Sequence, residues 1–184
     1  RQPLAEQARQ RGLEELAEEM LAADPACADS NQRAAAFVDP ERGVPTPADA
    51  LAGAGHILAD HFSQRADFRQ KVRRTFRRTA RLVSRLGKAT EKQSKPFVDY
   101  ADFSQPVQKV PTHRVLAINR GERAKVLGVK IEADDATMER EAVALLVPPD
   151  HAHEDFLREC VRDALVRLVV PSLERELRRD ITER

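Results

Sequence analysis

The chain has 184 residues, 41% of them hydrophobic, 33% charged and 4% aromatic, with no Trp and a formal net charge of +1. Such a composition folds as amphipathic helices with solvated faces. It excludes a large β-sandwich core and a platform of stacked aromatics for single-stranded nucleic acid. Two cysteines, Cys27 and Cys160, are too few for a disulfide framework or a four-cysteine zinc site. They read as ordinary thiols in a reducing compartment, so the expected location is cytoplasmic. No stretch approaches the roughly 20 apolar residues of a membrane span. The first residue is not Met and the last ones form a polar helical run without a stop signal, so both ends read as cut from a longer protein.

The small net charge hides a strong segregation. Residues 1–50 carry a net of −5, residues 132–160 a net of −7, and residues 64–95 hold twelve Lys/Arg against Asp67 and Glu91, a net of +10.

The first elements are two short helices, separated at Gly12, with Leu13, Leu16, Ala17, Met20 and Leu21 at helical spacing. Asp24-Pro25 closes them. A further short helix is expected over residues 30–38. Thr46-Pro47-Ala48-Asp49 is a helix start: an N-cap hydroxyl, proline at the first position, an acid at the third. Gly53 and Gly55 inside that helix each cost about 1 kcal/mol relative to Ala and point to close helix–helix contact.

Residues 64–86 read as one long basic helix. Phe68, Val72, Phe76, Thr79, Val83 and Leu86 form a narrow apolar stripe. Arg74, Arg77 and Arg81 lie nearly opposite, flanked by Arg78 and Arg85, and Gly87 reads as the C-cap. A loop over residues 88–95 and an anchored irregular stretch to Pro111 follow, with a helical turn near residues 97–102. Thr112 is the expected N-cap of a helix to about residue 123. Residues 125–133 alternate as a strand. A lone strand is unstable, and residues 143–147 are a candidate partner or else the end of a helix from Asp135. Pro148-Pro149 breaks the chain, and a last helix runs to Val170, where Pro171 kinks or restarts it. The fold class is mainly α: a multi-helical bundle with helix-turn-helix-like elements and at most a small β element near residues 125–133. The expected parts are N-terminal helices (1–45), a central region (46–133) and C-terminal helices (134–184).

No phosphate-binding glycine loop, nucleophile elbow or HExxH pattern is present. His56 and His61 fall on different sides of one helix. His151-Ala152-His153 with Glu154 is either a weak divalent-cation cluster or a solvated helix start. The expectation is therefore a non-catalytic chain without cofactor or metal. The basic helix is the feature with chemistry. Nine Arg/Lys between Arg65 and Arg85 have almost no acids beside them to pair with. They either meet acidic segments of the same chain, a nucleic-acid backbone that rewards them by counterion release, or an acidic protein.

Several runs resemble a known family. They are Arg9–Ala17, Gly55-His56-Ile57-Leu58-Ala59-Asp60, Arg69-Gln70-Lys71-Val72-Arg73, Leu82-Val83-Ser84, Phe97-Val98-Asp99-Tyr100, the run Val110-Pro111-Thr112-His113-Arg114 through Glu122, and Pro171–Leu177. In this order they resemble the Tex family of bacterial transcription accessory proteins, related to a eukaryotic transcription elongation factor. The segment after Arg120-Gly121 departs from the family pattern. The resemblance implies a larger nucleic-acid-binding protein with an RNase H-like (YqgF) domain, helix-hairpin-helix units and an OB-fold RNA-binding domain, all outside this chain. It implies RNA or DNA as partner through the parent protein; the alternative is a protein-interaction module touching RNA polymerase or another transcription factor, and the apolar runs predict no membrane partner. The chain itself would be the helical region before the RNase H-like domain, a scaffold with a basic face. Candidate nucleic-acid contacts are Arg73, Arg74, Arg77, Arg78, Arg81, Arg85, Lys88, His113, Arg114 and Arg120. The pair His113-Arg114, at a helix start, either reaches a phosphate or docks a neighbouring domain. Gly121 reads as a helix end with positive φ.

Overall fold

A computed structural model describes residues 2–184. Its elements are mostly helices, as the periodicity requires, and they gather into two compact groups. One runs through Val72 and adds Glu139–Val170; the other is Arg73–Met138 with Pro171–Arg184.

In the first group, α1 (Leu4–Gln10) and α2 (Glu14–Ala22) are separated at Gly12, whose φ is +78°. α3 spans Ser30–Ala35, with Asp29 accepting from the Gln32 amide as its N-cap. α4 (Pro47–Ser63) starts as the sequence dictates: Thr46 accepts a hydrogen bond from the Asp49 amide at 3.2 Å. Its buried face is Ala50, Ala54, Ile57, Leu58 and Phe62. A Cβ on Gly53 would collide with Leu13 Cδ1, and one on Gly55 would meet Cys160 Sγ and Phe156. Gly53 therefore marks a close approach, whereas the contacts at Gly55, 3.5 and 3.8 Å, are ordinary and leave room for an alanine.

The basic helix α5 (Ala66–Thr79) is shorter than its pattern suggests. It contributes to both groups. Phe68, Val72 and Phe76 form its buried stripe. After Ala80 the chain is extended: Arg81–Leu86 is strand β1, not the end of a helix. Leu82 and Ser84 are buried beside Val83, and a helix would have turned Leu82 and Ser84 away from its apolar stripe. The Thr79 hydroxyl donates to the Thr75 carbonyl at 2.8 Å and accepts from the Asp134 amide at 3.1 Å, which fixes the point of change.

β1 is the centre of a three-stranded antiparallel sheet ordered β2-β1-β3, with β2 at Asp102–Pro106 and β3 at Leu127–Glu132. Val83 lies opposite Ser104 on one side and Lys130 on the other. The expected strand is β3, and its partner is β1. Residues 143–147 do not pair with it; they fall at the end of helix α8 (Asp135–Leu146). The loop after Gly87 contains the one-turn helix α6 (Glu91–Ser94), closed by a reciprocal Thr90–Gln93 capping box.

Pro111 occupies the N-cap position of α7 (Thr112–Arg123) without a side-chain capping bond, so Thr112 is the first residue of the helix and not its cap. Gly121 lies inside it, and its φ is not positive. Glycine is needed there because a Cβ would collide with Leu127 Cδ1 and stand 2.8 Å from its Cγ and 3.1 Å from Phe97. After Pro148-Pro149, the chain is helical through α9 (Glu154–Asp163), a π-helical stretch (Ala164–Val169) and α10 (Val170–Thr182). Pro171 has no N–H for the preceding turn, and the helix widens just before it.

Gly121→Val forces Leu127 and Phe97 apart, an overpacking cost of about 1–3 kcal/mol. Urea unfolding is expected to show that loss at an unchanged m-value; an unchanged midpoint would contradict the close contact.

Candidate nucleic-acid interface

α5 carries Arg69, Lys71, Arg73, Arg74, Arg77 and Arg78 against the single acid Asp67. Its charge must be met from elsewhere or left to solvent. The structure does both, and it divides the ten candidate residues accordingly. All ten lie in the second group of residues.

Arg73 and Arg77 are engaged. Arg73 Nη2 meets Glu176 Oε1 at 2.9 Å, and Arg77 Nη2 meets Asp180 Oδ2 at 2.5 Å and Glu176 Oε1 at 3.4 Å. The i, i+4 spacing on α5 matches the i, i+4 spacing on α10, so the two rows interlock. The Arg73 hydrogen bond holds the Glu176 carboxyl below its ordinary range, and Arg77 does the same to Asp180. These carboxylates belong to α10, not to the acid-rich stretches 1–50 and 132–160.

Arg81 and Arg85 point along the sheet, not along a helix. Arg81 donates to the Ser104 hydroxyl at 2.9 Å and to its carbonyl at 3.2 Å. Arg85 donates to the Ser84 and Phe103 carbonyls and pairs with Asp102 at 3.2 Å. Their N–H groups are thus partly occupied by their own sheet.

The remaining six form no ion pair or side-chain hydrogen bond among the described residues. Arg74 and Arg78 are exposed on α5, and Lys88 is exposed after β1. His113 and Arg114 are exposed in the first turn of α7, and Arg120 is exposed further along it. His113, Leu116, Arg120 and Arg123 recur at helical spacing on the outward face of α7. Leu116, on the same face, is 40% exposed. Arg123 extends the same stripe and escaped the sequence-based choice, although the spacing alone signals it.

The inward face of α7 holds residues that sequence reasoning missed. Arg178 Nη2 reaches Glu122 Oε1 at 2.6 Å and Asn119 Oδ1 at 2.9 Å. The Asn119 amide donates to the Thr182 hydroxyl at 2.9 Å, and that hydroxyl donates to the Arg178 carbonyl. The Asn119 and Glu122 positions of the Thr112–Glu122 motif therefore bind α10 to α7. Their i, i+3 spacing is legible in the sequence; their partner is not.

His151 is held by the backbone: its Nε2 lies 2.8 Å from the Leu21 carbonyl oxygen, and its Nδ1 accepts from the His153 amide at 2.9 Å. Burial, then the nearby His151, lowers the His153 pKa. Glu154 pairs with Arg158 at 2.6 Å. Among the described residues no three His, Cys, Asp or Glu side chains form a metal-binding group. Cys27 and Cys160 are free and buried, their thiols pushed up to about 11 and about 12, chiefly by burial.

Residues 24–184 match the family described as Tex central region-like. The chain is 38% identical over 136 residues to Protein tex of Bordetella pertussis, covering 73% of this chain and 17% of that protein. It is 29% identical to the Transcriptional accessory protein Tex of Neisseria gonorrhoeae, over 96% of this chain and 24% of that protein. It is 30% identical to the S1 RNA-binding domain-containing protein 1 of Pongo abelii, over 97% of this chain and 19% of that protein. The chain spans about a quarter or less of the length of the curated relatives it matches.

The depressed Glu176 and Asp180 carboxyls set a pH dependence. Their ordinary values are 4.5 and 3.8. A lowered folded-state pKa gives stability that is complete above those values and is lost as pH falls through the folded pKa. In urea unfolding from about pH 6 to pH 3, Glu176→Gln with Asp180→Asn is expected to flatten the acid loss of stability. An acid slope equal to that of the parent would contradict the pairing.

Proposed function

The chain belongs to the Tex central region-like family, and from that premise we propose that it is a non-catalytic helical scaffold in a nucleic-acid-associated transcription accessory protein. Its own contribution to nucleic-acid contact is the set of cations that the fold leaves unpaired. The observation that supports this reading is the division of the arginines: Arg73 and Arg77 meet carboxylates, while Arg74, Arg78, Arg114 and Arg120 face solvent. Unpaired cations on rigid helices are suited to phosphates, because no internal ion pair has to break first. Two relatives carry transcription or RNA binding in their names. No described helix is long and apolar enough to cross a membrane, and the proposed setting is the cytoplasm.

A second reading has its own observation. Leu116 lies exposed among the α7 cations, and an apolar contact is of little use against a phosphate backbone. The α7 face would then dock a protein of the transcription machinery, RNA polymerase being one candidate.

Fluorescence anisotropy with single-stranded RNA and duplex DNA, at about 50 mM and 200 mM salt, tests the first reading. Salt-sensitive binding is expected. Arg114→Gln with Arg120→Gln is expected to lower the log–log salt slope by about one for each phosphate no longer neutralised. No salt-sensitive binding to either probe would remove direct contact and leave the docking reading.

A further inference from the structure

Two Arg-Gly dipeptides face each other in the first group of residues. Arg11-Gly12 follows α1, and Arg42-Gly43 lies in the connector before α4. Both glycines have positive φ, +78° at Gly12 and +87° at Gly43. Each arginine lies across the other dipeptide's glycine. Arg42 Nη1 is 3.0 Å from the place a Cβ on Gly12 would take, and Arg11 Nε and Nη2 are 3.0 and 3.2 Å from that on Gly43. Only glycine leaves both the backbone and the guanidiniums where they are.

The clasp is electrostatically incomplete. Arg42 donates from Nη2 to the Gln10 carbonyl at 2.8 Å, which uses one of the five N–H donors of a guanidinium. Arg11 has no hydrogen bond or ion pair from its side chain among the described residues, and Arg42 has no carboxylate partner there. Both line one pocket whose other walls are Gln2, Gln7 and Gln10. The Gln7 amide nitrogen is already committed to the Gln2 carbonyl at 2.7 Å. Two full positive charges therefore share a pocket without an acid in its lining. The surrounding stretch, residues 1–50, is net negative, so the local charge is opposite to its setting.

We propose that the Arg11–Arg42 clasp is a binding site for a phosphate-type oxyanion. Guanidinium forks match phosphate oxygens in geometry and give the stronger, charge-assisted class of hydrogen bond. The anion accepts N–H bonds from both arginines and relieves their mutual repulsion. The group arrives either as a free phosphate or pyrophosphate, or as a phosphodiester of a nucleic acid. The site uses none of the residues of the α5–α7–α10 surface, so it stands or falls independently of the function proposed above.

The test is a titration of the 184-residue chain with inorganic phosphate, with pyrophosphate and, separately, with a short oligonucleotide, at low ionic strength. In the unmutated chain the backbone amide resonances of Gly12 and Gly43 are expected to shift saturably. Calorimetry on Arg11→Gln with Arg42→Gln is expected to show affinity reduced by about tenfold or more, since both forks are removed. Arg42→Glu, which supplies Arg11 with a carboxylate, is expected to abolish the response as well. Saturation by phosphate or pyrophosphate alone identifies a free anion; saturation by the oligonucleotide identifies a backbone phosphate. Gly12 and Gly43 resonances that do not move with any of the three probes would overturn the proposal, as would unchanged affinity in the double variant.

Discussion

The second group of residues is organised by a charge that α5 cannot neutralise. Five arginines and a lysine share that helix with one aspartate, and i, i+4 pairs within it would join like charges. The carboxylates come instead from α10, where Glu176 and Asp180 are spaced to meet Arg73 and Arg77. That match sets which face α10 turns toward α5. Another face of α10 then carries Arg178 to Asn119 and Glu122 on α7. Leu173, Leu177 and Ile181, on the intervening stripe, are buried. Apolar burial supplies the bulk of the stabilisation, and ion pairs this exposed each add little. Their effect is on register: a shift of α10 by one residue would misplace every pair.

The same division defines what is left for function. Charge that is paired inside the fold is unavailable to a partner without a competing exchange of ion pairs. Arg73, Arg77 and Arg178 thus belong to architecture. Arg74, Arg78, Arg114 and Arg120 do not, and they sit on helices whose opposite faces are packed. The Thr112–Glu122 motif shows both roles in one helix. Its inward positions, Asn119, Gly121 and Glu122, fix the helix against α10 and β3, while its outward positions, His113, Leu116 and Arg120, face solvent.

Helix placement was largely legible because apolar residues recur with the helical period and because Thr46-Pro47 and Pro148-Pro149 mark ends unambiguously. β1 was not legible. The steps Phe76, Thr79, Val83 and Leu86 satisfy the helical period as well as any true helix, and what converts Arg81–Leu86 to a strand is pairing with β2 and β3, which is long-range. Gly121 illustrates the same limit: a glycine late in a helix suggests positive φ, but the approach of Leu127 is what demands it. For the candidate interface, the chain showed how much positive charge there is and on which helix. It did not distinguish Arg74 from Arg77, because the difference lies in Asp180, about a hundred residues away.

The division of charge can be read directly from arginine side-chain nitrogen NMR on the unmutated chain. A guanidinium held in an ion pair rotates slowly about its terminal bonds and gives separate Nη signals; a solvated one gives averaged signals. Separate resonances are expected for Arg73, Arg77 and Arg178, and averaged ones for Arg74, Arg78 and Arg120. Averaged signals at all six, or restricted rotation at Arg74 and Arg78, would contradict the division on which the proposed function rests.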